Sequence, residues 1–115
     1  MIYLASPYTG TEEEMQERYE AAVRCCAWLM AQGFNVYSPI VHSHPIAQVM
    51  NNQKNGEFWL EKDGPYIEMC ERIAVLRLPG WEKSKGIAHE IDAFDKQGKF
   101  VGYIDQLNSF SWSKE

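Results

Sequence analysis

The feature that most constrains this chain is an alternation. Short apolar runs with strand character are separated by longer segments whose apolar residues recur every three to four positions, and the pattern covers most of the 115 residues. Strands separated by helices cannot pair through tight hairpins, so they pair in parallel through right-handed crossovers. The alternation predicts an α/β domain of three layers, Rossmann- or flavodoxin-like, with a parallel sheet of about four to five strands. A chain of this length holds one core, so residues 1–115 form a single domain.

Ile2-Tyr3-Leu4-Ala5 reads as the first strand, followed by the turn-rich Ser6-Pro7-Tyr8-Thr9-Gly10. Thr11 and Glu14 have capping-box spacing, which starts a helix running to about residue 32. Its apolar face is Met15, Tyr19, Ala22, Val23, Cys26, Leu29 and Met30, and Gly33 ends it. Residues 34–38 form a second strand stopped by Pro39. Residues 41–50, with Pro45, predict a loop and a short helix. Residues 57–70 are helical in pattern but carry Gly64-Pro65, so either a kink or two short helices is expected. Residues 73–78 are a buried strand, and Ser84 caps a helix with the stripe Ile87, Ile91 and Phe94, closed by Gly98. Residues 99–104 form the last strand. The tail, residues 105–115, has no assigned element, and its Phe110 and Trp112 suggest docking, with a neighbouring subunit as one surface.

The net charge of −5 and the lack of a Lys/Arg run argue against a polymeric nucleic acid partner, which needs a basic footprint. A single nucleotide stays open, because a helix start holds one phosphate without net positive charge. No apolar run has the length of a membrane span and no leader pattern precedes the first strand, so a soluble cytoplasmic protein without a membrane partner is expected. A small domain forms shallow pockets, which predicts a homo-oligomer with sites near subunit interfaces. Cys25, Cys26 and Cys70 match neither a disulfide framework nor zinc spacing and read as reduced core thiols.

In an open parallel sheet, ligands bind beyond the carboxyl ends of the strands, where strand order reverses. The loops after the first and third strands should meet there. These are Ser6, Pro7, Tyr8, Thr9 and Gly10 on one side and residues 79–86 on the other, with Ser84 and Gly86 forming a phosphate cradle at a helix start. Glu90 falls within roughly 70° of the centre of the apolar stripe of that helix, an unusual place for a carboxylate. It reads either as a border residue reaching water or as a carboxylate aimed into the crevice.

These residues resemble a family, the nucleoside 2-deoxyribosyltransferase superfamily, which includes nucleoside 5′-monophosphate N-glycosidases. The resemblance rests on Ile2-Tyr3-Leu4-Ala5-Ser6-Pro7-Tyr8, on Ser38-Pro39 with His42-Ser43-His44-Pro45, and above all on residues 78–90, where Ser84, Gly86 and Glu90 match the family spacing. It implies Glu90 as nucleophile, Asp63 as second carboxylate, and a tyrosine orienting the nucleophile, matched by Tyr8 or Tyr3, with Tyr8 the better placed. Ser84, where transferases of free nucleosides tend to have Asp, implies a 5′-phosphate.

The implied chemistry is cleavage or transfer of an N-glycosidic bond through a glycosyl ester on Glu90, with Asp63 as the acid for the departing base, and it requires no cofactor and no metal. His42 lines the base pocket or satisfies backbone groups. Trp81 and Trp59 stack on a base or belong to core or interface. Arg18 reaches a phosphate near the first loop or stays on a solvated helix face. The competing class is a nucleotide-binding module without turnover, and what separates the two is whether Asp63 and Glu90 face one crevice. A reductase-like Rossmann protein ranks below both, since no Gly-x-Gly-x-x-Gly follows the first strand.

Overall fold

The computed structural model describes residues 1–113. The chain runs β1 (Ile2–Ala5), α1 (Glu12–Ala31), β2 (Val36–Tyr37), α2 (Pro39–Val49), α3 (Gly56–Met69), β3 (Arg72–Leu76), a 3₁₀ turn (Trp81–Lys83), α4 (Lys85–Lys96), β4 (Phe100–Gln106) and β5 (Phe110–Trp112). One five-stranded sheet has the order β2-β1-β3-β4-β5, with the first four strands parallel and β5 antiparallel to β4. This is the flavodoxin-like order, and it puts the reversal between β1 and β3.

Strand alternation sorts the core into two faces. Ile2, Leu4, Ala74, Leu76 and Ile104 pack against Ala21, Cys25, Cys26 and Leu29 of α1. Tyr3, Ala5, Ile73 and Val75 pack on the opposite face against Ile67 of α3 and Ile87 and Phe94 of α4. The three cysteines are free and buried. Among the described residues, no helix is long and apolar enough to cross a membrane.

The capping box is formed in full: Thr11 Oγ1 accepts from the Glu14 amide at 3.1 Å, and Glu14 Oε1 accepts from the Thr11 amide at 2.9 Å. Val23 and Met30, expected on the inner face of α1, are exposed, because the buried stripe follows positions 22, 25, 26 and 29. Strand β2 is shorter than expected, since Ser38 leaves the sheet to cap α2, its Oγ accepting from the Val41 amide at 3.1 Å. Pro39 then occupies the first turn of α2, where its missing N–H costs nothing.

Two expectations change and one is narrowed. Residues 41–50 lie almost wholly in one continuous helix, and Pro45 is accommodated inside it. Gly64-Pro65 sits inside α3, which is one helix and not the alternative of two short ones, and Asn55 caps its start by accepting from the Phe58 amide at 3.1 Å. The tail forms β5 and closes on its own chain: Trp112 packs beside Trp28 and Phe34, while the Arg72 guanidinium lies 4.9 Å from its ring centroid. Apolar ring area and a cation over a ring face hold it there. The last two positions of that tail lie outside the described residues.

Trp112→Ala should therefore destabilise the isolated chain by on the order of 2–3 kcal/mol, less than a fully buried Trp because the ring is half-buried. Urea denaturation at two protein concentrations checks this, and the loss should not depend on concentration.

Candidate active site

The loops after β1 and β3 meet over the sheet reversal and, with the flank of α3, enclose a cleft of about 630 Å³. Pro7, Tyr8 and Thr9 form one wall, Gly80 and residues 83–86 a second, and Trp59, Leu60 and Asp63 of α3 a third. Arg18 reaches the cleft from α1. Its Nη1 donates to the carbonyl oxygens of Thr9 at 2.6 Å and Tyr8 at 3.4 Å, which ties the first loop down. Gly80 has φ +91°, and a Cβ there would lie 3.6 Å from Arg18 Nη2.

One end of the cleft gathers hydrogen-bond donors. Ser84 caps α4, its Oγ accepting from the Ile87 amide at 3.2 Å, which leaves the hydroxyl proton available to a ligand. The first amides of α4, from Lys85 and Gly86, have no partner within the helix. Arg18, which pairs with Glu14 at 4.0 Å, and Lys83 and Lys85 set cations beside the positive end of the helix dipole.

The other end is apolar. A smaller cavity of about 160 Å³ lies between α2 and α3, lined by Pro39, Ile40, Ala47 and Trp59, with Tyr8, His44 and Asp63 as polar groups. Tyr8 Oη and His44 Nδ1 are 2.6 Å apart, and the buried His44 ring stacks on Tyr19 with centroids 4.1 Å apart. Trp59 and Asp63 border both cavities.

Two carboxylates, Asp63 in the cleft wall and Glu90 behind it, are each only 6% exposed. Each has a tyrosine. Tyr3 Oη donates to Glu90 Oε2, and Tyr37 Oη donates to Asp63 Oδ1 at 3.3 Å. Tyr3 and Tyr37 are register partners on β1 and β2, so their rings leave the same face of the sheet side by side, with centroids 5.8 Å apart. Burial pushes the Glu90 carboxyl up to about 8, against the opposing hydrogen bond from Tyr3, and the negative charge of Asp63 pushes the same way as burial. Burial also raises Asp63, to about 6, with the Tyr37 hydrogen bond opposing it. Both phenols are themselves raised, first by burial and then by the carboxylates beside them, so they remain donors.

The expected site residues divide. Pro7, Tyr8, Thr9, Asp63, Ser84 and Gly86 line the cleft. Glu90 does not line it. It sits one turn beyond Gly86 on the same helix face, leaning back toward the helix start, and a Cβ at Gly86 would have only Ser84 Oγ within 4 Å, at 3.8 Å. The hydrogen bond to Glu90 comes from Tyr3, not from Tyr8, because Tyr3 points to the α4 face while Tyr8 has left the sheet for the loop. Ser6 is buried below the cleft, its Oγ without a hydrogen-bond partner among the described residues. Gly10 faces α1, where a Cβ would come within 2.7 Å of Glu14 Oε1. Trp81 packs on Tyr103, centroids 5.8 Å apart, off the cleft. His42 is exposed on α2 but tilts against Tyr37 and Tyr66 and lines a side cavity that Trp59 and Asp63 also border, while His44 faces the inner cavity. Tyr37 was not legible as a site residue, because a tyrosine in a strand reads as core. Among the described residues, no group of three or more His, Cys, Asp or Glu could hold a metal ion.

A family model described as a domain of unknown function, DUF1937, matches residues 1–106. The chain belongs to this family. The DUF1937 match runs from β1 through the end of β4, so it takes in the cleft and both carboxylates and stops before β5. No curated protein matches the chain.

The raised carboxyls fix a pH dependence. Glu90 binds a proton more tightly folded than unfolded, so its contribution to stability is fully present below its unfolded value near 4.5 and is lost as pH rises through about 8. Glu90→Gln should thus gain on the parent protein from pH 5 to pH 8, by a few kcal/mol, in urea midpoints measured at both values.

Proposed function

We propose that this DUF1937 protein cleaves or transfers the N-glycosidic bond of a nucleoside 5′-monophosphate, with Glu90 as nucleophile and Asp63 as acid. The observation that carries the reading is the order of features across the site: a donor-rich helix start, the cleft-lining Asp63 with Glu90 buried one helix turn behind Gly86, and an apolar cavity bordered by Trp59. A nucleotide has the same order of phosphate, sugar and base. The resemblance of Ser84, Gly86 and Glu90 to the deoxyribosyltransferase spacing supports the same assignment.

The 5′-phosphate would accept hydrogen bonds from Ser84 and the first amides of α4 and would face Arg18, while the base would lie toward Trp59. The sugar then bridges Gly86 and Asp63. A Glu90 oxygen attacks the anomeric carbon, and the electrons of the carbon–nitrogen bond leave with the base, which takes the proton of Asp63. This gives free base, a glycosyl ester on Glu90 and ionised Asp63. Water then attacks the same carbon and gives its proton to Asp63, and Glu90 departs as carboxylate. In a transferase a second base replaces the water. The reacting form has its proton on Asp63 and its charge on Glu90. Positive charge developing at the anomeric carbon favours that distribution.

A second reading has a specific observation behind it. Glu90 does not line the cleft, and burial holds it protonated, as expected of a module that binds a nucleotide without turnover. One experiment separates the two: incubation with ribo- and deoxyribonucleoside 5′-monophosphates and the matching nucleosides, with chromatography of free base. The glycosidase reading expects base from a monophosphate and a loss of more than about 10³-fold in Glu90→Ala. Nucleotide binding without base release, even with an added acceptor base, favours the module. Gly86→Leu tests the route to Glu90. It should cut base release at least about 100-fold, by closing the passage over the helix, without lowering stability, since Leu is a stronger helix former than Gly.

A further inference from the structure

We propose that Tyr37 is a positioning residue for this reaction: clamped by Tyr66, its hydroxyl fixes which oxygen Asp63 presents to the substrate. The inference rests on the functional reading above.

The geometry is a three-point grip. Tyr37 and Tyr66 are parallel, with centroids 3.8 Å apart and planes 2° from each other. Tyr66 lies three residues after Asp63, on the adjacent turn of the same face of α3. One helix face therefore holds both the ring and the hydroxyl of Tyr37, the ring through Tyr66 and the hydroxyl through Asp63 Oδ1 at 3.3 Å. His42 closes the third side, with centroids 5.7 Å from Tyr37 and 5.9 Å from Tyr66. With Oδ1 occupied, Oδ2 is left for the cleft. A free aspartate would turn about its terminal bond and present either oxygen.

Other groups bear on the carboxylate. Glu90 of α4 and Tyr3 of β1 lie beneath it. Tyr8 of the first loop, Arg18 of α1, His42 and His44 of α2, Lys62 of α3, and Lys83 and Lys85 around the start of α4 share its cavities. Tyr37 alone among the described residues donates a hydrogen bond to it. That bond opposes the upward push of burial, so its removal raises the Asp63 carboxyl further.

Tyr37→Phe keeps the ring stack and deletes the donor, and Tyr66→Ala keeps the donor and frees the ring. The test follows the Asp63 carboxyl by ¹³C NMR titration, with kcat and KM for the best nucleotide. In Tyr37→Phe the Asp63 titration should move to higher pH, kcat should fall roughly 10- to 100-fold, and KM should stay within about threefold. Tyr66→Ala should lower kcat in the same direction and so supplies the test if Tyr37→Phe does not fold. A merely structural tyrosine would lower stability and leave the Asp63 titration where it was. An unmoved titration, or a moved one with unchanged kcat, overturns the proposal. If the parent protein releases no base, the functional reading fails, and the titration alone decides whether Tyr37 governs Asp63.

Discussion

Everything about this site depends on one constraint: two carboxyl groups have been taken out of water within one small domain. A buried carboxylate without partners costs several kcal/mol, and two close together repel as well. The fold meets that cost with a pair of phenols on neighbouring strands. Parallel register places Tyr3 opposite Tyr37, so both rings emerge on one sheet face, and each hydroxyl meets a carboxylate brought by a different helix. The carboxyls answer by moving up toward neutral pH, so that near pH 7 the pair holds about one proton. At rest that proton sits on Glu90, the reverse of the distribution the proposed reaction uses, so the reaction requires it to pass to Asp63.

The rest of the cleft follows from chain topology. Strand order reverses between β1 and β3, so their loops diverge and leave a crevice, and α4 starts at its edge with unpaired amides pointing in. Arg18 braces the first loop and supplies charge at the same spot. A cluster of cations at a helix start needs no basic chain, although Glu14 lies 4.0 Å from Arg18 and offsets part of its charge. Trp59 stands where the cleft and the apolar cavity meet, which makes α3 the element that borders both.

Much of this was legible in the sequence. The alternation predicts the sheet, the capping box and Ser84 mark helix starts, and a glutamate on the apolar border of α4 signals an unusual carboxylate. What escaped has physical causes. Pro45 argues locally against a long helix and Gly64-Pro65 for a kink or a split, yet α2 and α3 each run through them as one helix, as tertiary context often overrides local propensity. Tyr37 escaped because its role comes from pairing between strands, which sequence spacing does not show. Tyr8 was preferred over Tyr3 because it lies nearer the loop, whereas alternation along β1 decides which tyrosine faces α4. The tail aromatics were recognised as docking groups, but their partners Trp28 and Phe34 are far away in sequence, so the choice between own chain and neighbour required the fold.

The central claim is that Glu90 forms a bond to the sugar. The most direct measurement is intact-protein and peptide mass spectrometry after incubation with a 2′-fluorinated nucleoside 5′-monophosphate, whose electron-withdrawing fluorine slows hydrolysis of the ester. The account predicts a mass increase of one fluorinated sugar phosphate, with loss of the base, mapped to Glu90. Base release with no adduct, or an adduct on any other residue, would contradict it.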